Sequence, residues 1–322
     1  MEKTLEAPNR WTEQALAHAL NRRMQSLTAD ALSAWLGPPS PSDQTVGVVH
    51  GGAGPLNGFR MALAAWGLGR PYVGALADAS PSILPAFADE VSDALPESRI
   101  QFAGREEVIE TADVVMGCAD SAEEADELRQ QCDAQGLSSA HRLIQSPTYS
   151  VGVIDGHETD DERERLAEDM LLFDGTGRRR LAVLWAPKGL EPDAYLESMA
   201  HFRGLYPVHP DTPGTLQMQQ AFLEAQDQSH AYAEGLEFLV SRGEPAPQKP
   251  GHIRWAEYED PAEVEAWMQE HSPEVYGLVA RQHIHDQFSL DCPVRAPGGV
   301  HGPPLDDPEG QAVVACLRGA TS

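Results

Sequence analysis

Lysine is nearly absent from this 322-residue sequence, which holds only Lys3, Lys188 and Lys249, so almost all of its 23 basic residues are arginine. Acidic residues number 50, and the formal net charge is −27. Nucleic acids and anionic membranes repel such a surface, so we expect neither as a partner. An acid-rich, lysine-poor surface suits concentrated salt, which screens carboxylate repulsion. An ordinary acidic protein from an arginine-favouring genome is the alternative.

Cysteines and long apolar runs are also scarce. The four cysteines show no CxxC spacing, which predicts neither a zinc site nor a disulfide framework. No apolar run approaches the roughly 18 residues of a membrane span. The N-terminal stretch MEKTLEAPNR is polar and acidic, unlike a secretory signal. We therefore expect a cytoplasmic protein with no membrane span and no resident metal.

The hydrophobic pattern predicts an α/β fold. Two helices are expected within residues 11–36, with Thr12 and Thr28 as N-caps. From residue 45 onward, short apolar runs alternate with helical patterns, which predicts a parallel sheet covered on both faces. The predicted strands are Thr45–His50, Pro71–Leu76, Arg99–Ala103, Ala112–Met116, Tyr149–Ile154, Leu181–Trp185 and residues 236–241, 252–258 and 275–281.

Local signals also mark where several helices begin. Ser80-Pro81 and Asp260-Pro261 each combine a capping residue with a proline, a combination typical of a first helical turn. Ser121–Glu124 and Thr159–Glu162 have the spacing of a capping box. Each signal predicts a helix that directly follows one of the strands or loops.

Glycines cluster where the first strand is predicted to give way to a helix. They are Gly51, Gly52, Gly54 and Gly58. A backbone of this kind can approach a phosphate closely, but the spacing is not GxGxxG and no GK[ST] follows. A nucleotide site and a tight turn without a ligand therefore both stay open. A second junction, Gly117–Ser121, is expected at the same sheet edge and favours binding, because open parallel sheets bind ligands there.

Several stretches are similar to one known family. Val151–Thr159 (VGVIDGHET) resembles that family's VAVL-x-GNET, and Leu166–Met170 (LAEDM) resembles its LGEDIF. The other similar stretches are Thr45–Phe59, Val73–Pro85, Ala112–Ala122 and Tyr149–Pro187. From about residue 11 to the C-terminus, the chain resembles the LuxC-type acyl-CoA reductases, particularly their short non-luminous relatives. These enzymes are distant members of the aldehyde dehydrogenase superfamily.

The resemblance implies an aldehyde-dehydrogenase-like α/β fold, with a Rossmann-type parallel-sheet lobe and a second α/β lobe. The expected parts are N-terminal helices (1–44), a cofactor-binding lobe (45–156), a catalytic-type lobe (157–300) and a C-terminal tail (301–322) that returns to the core. Such enzymes reduce an acyl-CoA thioester to an aldehyde with NADP or NAD. Because relatives are oligomers, the resemblance also implies a homo-oligomer. The expected cofactor-binding residues are Gly51, Gly52, Gly54, Ala75, Gly117, Cys118 and Ser121.

Three positions that carry the family's chemistry differ in this chain. Arg178 stands where the family motif FGLGCRNVSKL has its nucleophilic cysteine. Ala53 replaces the asparagine of GNIPLVGF that holds the oxyanion, and Ala75 replaces the lysine that reaches the cofactor's ribose. Arginine is always protonated and cannot be the nucleophile. We therefore predict an acyl-CoA reductase family protein with impaired or lost catalysis. The alternative is a non-catalytic nucleotide- or acyl-CoA-binding or assembly subunit.

Some other residues keep two interpretations. Cys118 at a helix start, or Cys292 in a loop, could be a displaced nucleophile; Cys118 could equally be a small residue packed beside the nucleotide site. The run Arg178–Arg180 could receive a phosphate or carboxylate, or it could be a strand edge neutralised by Asp169 or Asp174.

Two clusters of histidines and carboxylates could likewise be functional or structural. If extended, His283-Ile284-His285 puts two imidazoles on one strand face, as in half of a metal site, although surface histidines are the simpler interpretation. Asp155, His157 and Glu158 could form an acid–base group. Carboxylates that interact with the helix dipole explain Glu158 and its neighbours as well.

Overall fold

In the computed structural model, residues 10–38, 40, 42–232 and 235–319 are described, and the chain divides into two compact units. The first unit contains Met1–Pro147 and Pro304–Ser322, and the second contains Thr148–Pro303. The helices are α1 (Glu13–Ser26), α2 (Ala29–Leu36), α3 (Phe59–Gly67), α4 (Ile83–Ala94), α5 (Arg105–Thr111), α6 (Ala122–Ala134), α7 (Asp160–Leu171), α8 (Asp193–Leu205), α9 (Thr212–Ala225), α10 (Pro261–Glu270), α11 (Gln282–His285) and α12 (Pro308–Gly319). The strands are β1 (Val46–Val49), β2 (Tyr72–Ala75), β3 (Ile100–Phe102), β4 (Val114–Cys118), β5 (Arg142–Gln145), β6 (Tyr149–Val153), β7 (Leu181–Pro187), β8 (His230–Tyr232), β9 (Leu239–Arg242), β10 (His252–Tyr258), β11 (Val275–Ala280) and β12 (Val294–Arg295).

The first unit is built on a parallel sheet with the strand order β3-β2-β1-β4-β5. Strand β1 lies at its centre, where Val46 pairs with Tyr72 on one side and with Val114 on the other. All four residues of β1 are buried, because helices cover both faces of a sheet of this kind. The carboxyl ends of β1, β2 and β4 therefore lie side by side.

Two hydrophobic layers cover this sheet. One contains Trp35, Phe59, Trp66 and Leu317, and the other contains side chains of α5 and α6 such as Leu128. The C-terminal helix α12 is held against α3 by Arg60, which donates to Asp307 and Glu309. Helix α12 thus packs in the first unit through buried apolar contacts and an ion-pair network.

The second unit has a seven-stranded sheet with the order β12-β11-β6-β7-β10-β9-β8. Neighbouring strands run parallel except β8 and β9, which are antiparallel. Strand β6 pairs with β7 and β11, so it belongs to this unit. The sequence-based division at residue 156 had placed β6 in the first lobe; its hydrogen-bonded neighbours explain the difference.

Most of the predicted helix starts agree with the structure. Thr12 and Thr28 cap α1 and α2, and Thr159 forms the full capping box of α7 with Glu162. The prediction at Ser80-Pro81 was displaced, because α4 begins at Ile83 with Ser82 as its N-cap.

The condition for a metal half-site at His283-Ile284-His285, an extended strand, is not met. These residues lie in the short helix α11, where residues two apart point to different faces. Across the described ranges, no group of three or more His, Cys, Asp or Glu side chains is placed to hold a metal ion. Within the same ranges, no helix combines the length and apolar character that crossing a membrane requires.

Candidate functional site

The glycine loop after β1 binds a carboxylate of the chain itself. The amide of Gly52 donates to Oδ2 of Asp120 at 2.6 Å, and the amide of Ala53 donates to Oδ1 at 3.0 Å. Asp120 follows β4, the parallel neighbour of β1, so strand pairing brings the two segments together. Two successive backbone amides form a concave site for an anion. In this structure Asp120 is that anion.

Gly51 is needed for this close approach. A Cβ at Gly51 would lie 2.5 Å from the carbonyl oxygen of Cys118 and 2.8 Å from both the Asp120 carboxylate and Nδ2 of Asn57. A Cβ at Gly52 would also meet Asp120, at 2.9 Å. The glycines therefore let the loop approach the end of β4 and the Asp120 carboxylate.

The buried His50 links the glycine loop to strand β2 by two hydrogen bonds. His50 Nδ1 donates to the carbonyl of Asn57 at 2.9 Å, and Nε2 accepts from the Tyr72 hydroxyl at 2.6 Å. Burial lowers the pKa of His50 to about 4, so the ring is neutral near pH 7. This pattern of one donor and one acceptor requires the neutral form.

Some of the other predicted cofactor-binding residues lie away from the glycine loop that follows β1. Ser121 caps α6 beside Asp120, and the Ala75 carbonyl accepts from the amide of His50 at 2.9 Å. Gly117 lies within β4 and faces Leu128 and Ile144, whereas nothing lies within 4 Å of a Cβ at Gly54. Cys118 is buried, and its Sγ donates to Gln145 at 3.3 Å.

Sequence reasoning missed Asp120, His50 and Asn57. His50 ends a predicted strand, Asn57 lies inside the glycine loop, and Asp120 lies in the second glycine junction, four residues after a predicted strand. An acidic residue just before the N-cap Ser121 was the one available signal for Asp120. No local pattern indicates that its carboxylate reaches a loop 68 residues earlier in the chain.

In the second unit, the turn between α7 and β7 is conformationally strained. Phe173 and Asp174 both have φ of 56°, followed by Gly175 at 66° and Gly177 at 97°. Left-handed φ is costly for phenylalanine and tolerated by aspartate. The Phe173 carbonyl accepts from the amide and the hydroxyl of Thr176, at 3.0 and 2.7 Å, which closes the turn.

Asp174 is the centre of this turn. Its Oδ2 accepts from the Thr212 hydroxyl at 2.7 Å and from the His209 amide at 3.1 Å. Its Oδ1 lies 3.4 Å from Nη1 of Arg203, whose side chain is only 2% exposed. The pKa of Arg203 is lowered by burial, against the opposing influence of Asp174. The Asp174 carboxylate is thus engaged by Arg203, and neutralisation of Arg178–Arg180 by Asp169 or Asp174 stays a prediction.

Replacing Gly175 tests whether the turn is tightly packed. A Cβ there would lie 2.7 Å from the Gly251 amide nitrogen and 2.9 Å from the Met170 carbonyl oxygen, both backbone atoms. We expect Gly175→Ala to lower the free energy of unfolding of the second unit by about 2 kcal/mol in urea titrations. Gly189→Ala is the matched control, since Gly189 also has positive φ, 80°, but has no atom within 4 Å. Equal losses in both variants would contradict the packing argument.

Two of the three arginines that follow the turn, Arg179 and Arg180, extend toward different strands. The carbonyls of Arg178 and Arg179 accept from the hydroxyls of Thr148 and Ser150, both at 2.8 Å. The Arg179 guanidinium lies 5.2 Å above the ring of Tyr276 on β11. Arg180 donates to the Gln248 carbonyl ahead of β10, at 3.2 Å, and burial lowers its pKa. Because β11 and β10 lie on opposite sides of β7, Arg179 and Arg180 extend in opposite directions.

Cys292, the other candidate nucleophile, lies elsewhere in the second unit. It forms part of the wall of a pocket of about 330 Å³ beside Met268, Tyr276 and Leu290. Burial raises the pKa of the Cys292 thiol, which disfavours the reactive thiolate.

The carboxylates at residues 155–158 lie in the loop before α7. Asp155 pairs with His283 at 2.7 Å and with Arg281 at 3.2 Å. Partial burial acts to raise the pKa of Asp155, but hydrogen bonds from the His157 amide and from His283, with the charge of Arg281, lower it overall. Glu158 is buried and accepts from the Tyr195 hydroxyl and from the amides of residues 155 and 156. These contacts explain the cluster as a structural network that fixes the loop before α7.

Comparison with known proteins decides the fold. No protein-family profile and no curated protein matches this sequence. Among solved structures, a methylmalonate-semialdehyde dehydrogenase from Oceanimonas doudoroffii is similar over 94% of this chain and 74% of its own, with a TM-score of 0.71 and 10% identity. An NAD-dependent benzaldehyde dehydrogenase from Corynebacterium glutamicum covers 92% of this chain and 76% of its own, with a TM-score of 0.67 and 16% identity. The chain has an aldehyde-dehydrogenase-like fold.

An AldH from Staphylococcus aureus shows the same likeness, over 95% of this chain and 78% of its own, with a TM-score of 0.66 and 10% identity. The fold class expected from the sequence is thereby confirmed. At identities of 10 to 16% the likeness concerns the fold alone, so activity must be argued from the site residues.

Proposed function

We propose that this protein is a divergent relative of the LuxC-type acyl-CoA reductases that has little or no thioester reduction and acts through binding. One observation carries the proposal: the turn before β7 is held in place by Asp174, yet position 178 presents arginine instead of a thiol. A guanidinium has no free electron pair with which to attack a thioester carbon. The turn is thus held in place, but position 178 offers no group that could attack a thioester.

The position of the oxyanion donor supports the same proposal. Ala53 has no side-chain donor, and its backbone amide already donates to Asp120 at 3.0 Å. A missing oxyanion donor typically costs a factor of about 10² to 10³ in rate. Absence of both the nucleophile and the donor leaves no residue at these positions to begin acyl transfer.

The cofactor that the resemblance implies is NADP or NAD, and one of the similar structures is named as NAD-dependent. The glycine loop offers a partial fit to a dinucleotide phosphate. Its glycines form a cradle that a Cβ would fill, but the amides of Gly52 and Ala53 are taken by Asp120. As arranged, these two amides do not fit a phosphate, and we derive no reaction step through the cofactor.

Two further features bear on the assembly of this protein and on the conditions in which it works. Met218 and Phe222 on α9 are 69% and 58% exposed, which is unusual for large apolar side chains and favours a homo-oligomer. The acidic surface, with a net charge of −27, favours a cytoplasmic protein adapted to salt.

The activity test uses purified protein, acyl-CoA, and NADH or NADPH in multi-molar salt. We expect no steady aldehyde formation above the rate without protein. A second assay measures acyl transfer by mass spectrometry: Arg178→Cys is expected to acquire the acyl group and release CoA, whereas Arg178→Ala is not. Steady aldehyde production by the unmodified chain, or failure of Arg178→Cys to become acylated while correctly folded, would contradict the proposal.

Binding is tested separately by thermal shift with NAD, NADP, CoA and acyl-CoA. A ligand that binds the native state stabilises it by RT ln(1 + [L]/Kd), about 2.7 kcal/mol at a concentration one hundred times Kd. We expect a concentration-dependent rise in Tm with at least one of these ligands. No shift with any of them would remove the binding role and leave a purely structural one.

A further inference from the structure

We propose that the amides of Gly52 and Ala53 form an anion site, that Asp120 is its resident occupant, and that a ligand's phosphate group binds there only by displacing the Asp120 carboxylate. This inference rests on the proposed function, since it names the part of the ligand that the glycine loop would bind. It assigns to Asp120 the role of setting which anions the loop accepts.

The geometry shows that the site is built for an anion. Both carboxylate oxygens are used, one by each amide, at 2.6 and 3.0 Å. Bonds from two backbone amides to a charged acceptor are among the stronger hydrogen bonds of proteins. A phosphate group offers oxygens at similar spacing and would make the same two bonds.

The surroundings of Asp120 make it a displaceable occupant. The residue is exposed, so its side chain can leave the loop for water. Partial loss of hydration raises the pKa of Asp120, and the nearby charge of Glu124 acts in the same direction. The two amide bonds and the charge of Arg10 act in the opposite direction. The loop amides thus hold the carboxylate against its partial loss of hydration and against repulsion by Glu124.

Selectivity follows from this competition. A neutral group cannot match the carboxylate at the two amides, whereas a phosphate monoester or diphosphate carries more charge and more acceptor oxygens. The site therefore selects phosphate-bearing ligands of high charge, such as nucleotides, over neutral or singly charged carboxylate ligands.

The experiment compares Asp120→Ala with the parent chain by calorimetric titration with inorganic pyrophosphate at a fixed, moderate salt concentration. We expect Asp120→Ala to bind about tenfold more tightly, because the ligand no longer competes with a charged hydrogen-bond acceptor. Glu123→Gln is the control: it removes one negative charge from the first turn of α6 without touching the loop, and we expect less than about a twofold change. Backbone amide NMR shifts of Gly52 and Ala53 should move on titration in Asp120→Ala.

Each outcome decides between the two proposals. Equal pyrophosphate affinity in Asp120→Ala and Glu123→Gln, or tighter binding without movement of the Gly52 and Ala53 signals, overturns the inference. If the inference fails in this way but NAD or NADP still raises the Tm of the parent chain, the proposed function stands without the anion site. If Asp120→Ala gains pyrophosphate binding while no chain responds to nucleotides or CoA, the anion site stands and the proposed function fails.

Discussion

Replacing Asp174 with alanine is expected to lower the free energy of unfolding of the second unit by about 3 to 5 kcal/mol, the range for breaking a buried ion pair from one side. Arg203 would keep its charge with its side chain only 2% exposed, and its acceptors among the described residues would be the backbone carbonyls of Glu237 and Tyr206. The Thr212 hydroxyl and the His209 amide would also lose their acceptor.

A double variant separates the charge effect from simple loss of packing. Arg203→Met in the Asp174→Ala background removes the unpaired cation, and we expect it to restore part of the lost stability. Asp174→Asn keeps the shape but not the charge and should fall between the alanine variant and the parent chain. Urea unfolding of all four chains measures these values. If adding Arg203→Met to Asp174→Ala lowered the free energy of unfolding further instead of restoring part of it, the two residues would not be coupled through charge.

Mild acid is expected to destabilise both units because each buries a neutral histidine. Burial lowers the pKa of His50 to about 4 and that of His252 to about 3, from 6.5 in the unfolded chain. Above pH 6.5 both states are unprotonated and the full stability is present. As the pH falls below 6.5, the unfolded chain takes up protons that the folded chain does not, so stability falls. By pH 5 each histidine costs its own unit about 2 kcal/mol.

The measurement is unfolding at pH 7.5 and pH 5 for the parent chain, His50→Gln and His252→Gln. Each variant should lose less stability than the parent between the two pH values, and only in the unit that carries the substitution. The Ser241 hydroxyl, 2.7 Å from His252 Nε2, can still bond to a glutamine side chain. A variant whose loss between pH 7.5 and pH 5 matched that of the parent would exclude its histidine as the titrating group.

Local sequence signals predicted much of the fold because they act through nearby residues. The capping box of Thr159 and Glu162 requires residues only three apart, and α7 begins there as predicted. The buried run before Gly51 forms the central strand β1 for the same reason, since its apolar side chains are covered on both faces. The short helix α11 could not be assigned in this way, because four residues are too few for the helical period to be distinguished from an extended strand.

The candidate site depends on contacts that no local pattern contains. The sequence by itself determined an alternating α/β chain, a glycine loop after the first strand, an arginine at position 178 and a strongly acidic surface. Only the tertiary structure decided that Asp120 fills the loop's amides and that Asp174 holds the turn through Arg203, because strand order and helix packing bring together residues 68 and 29 positions apart. Composition and periodicity describe residues that are close in the sequence. The partner of a buried charge depends on which distant residues the folded chain brings into contact.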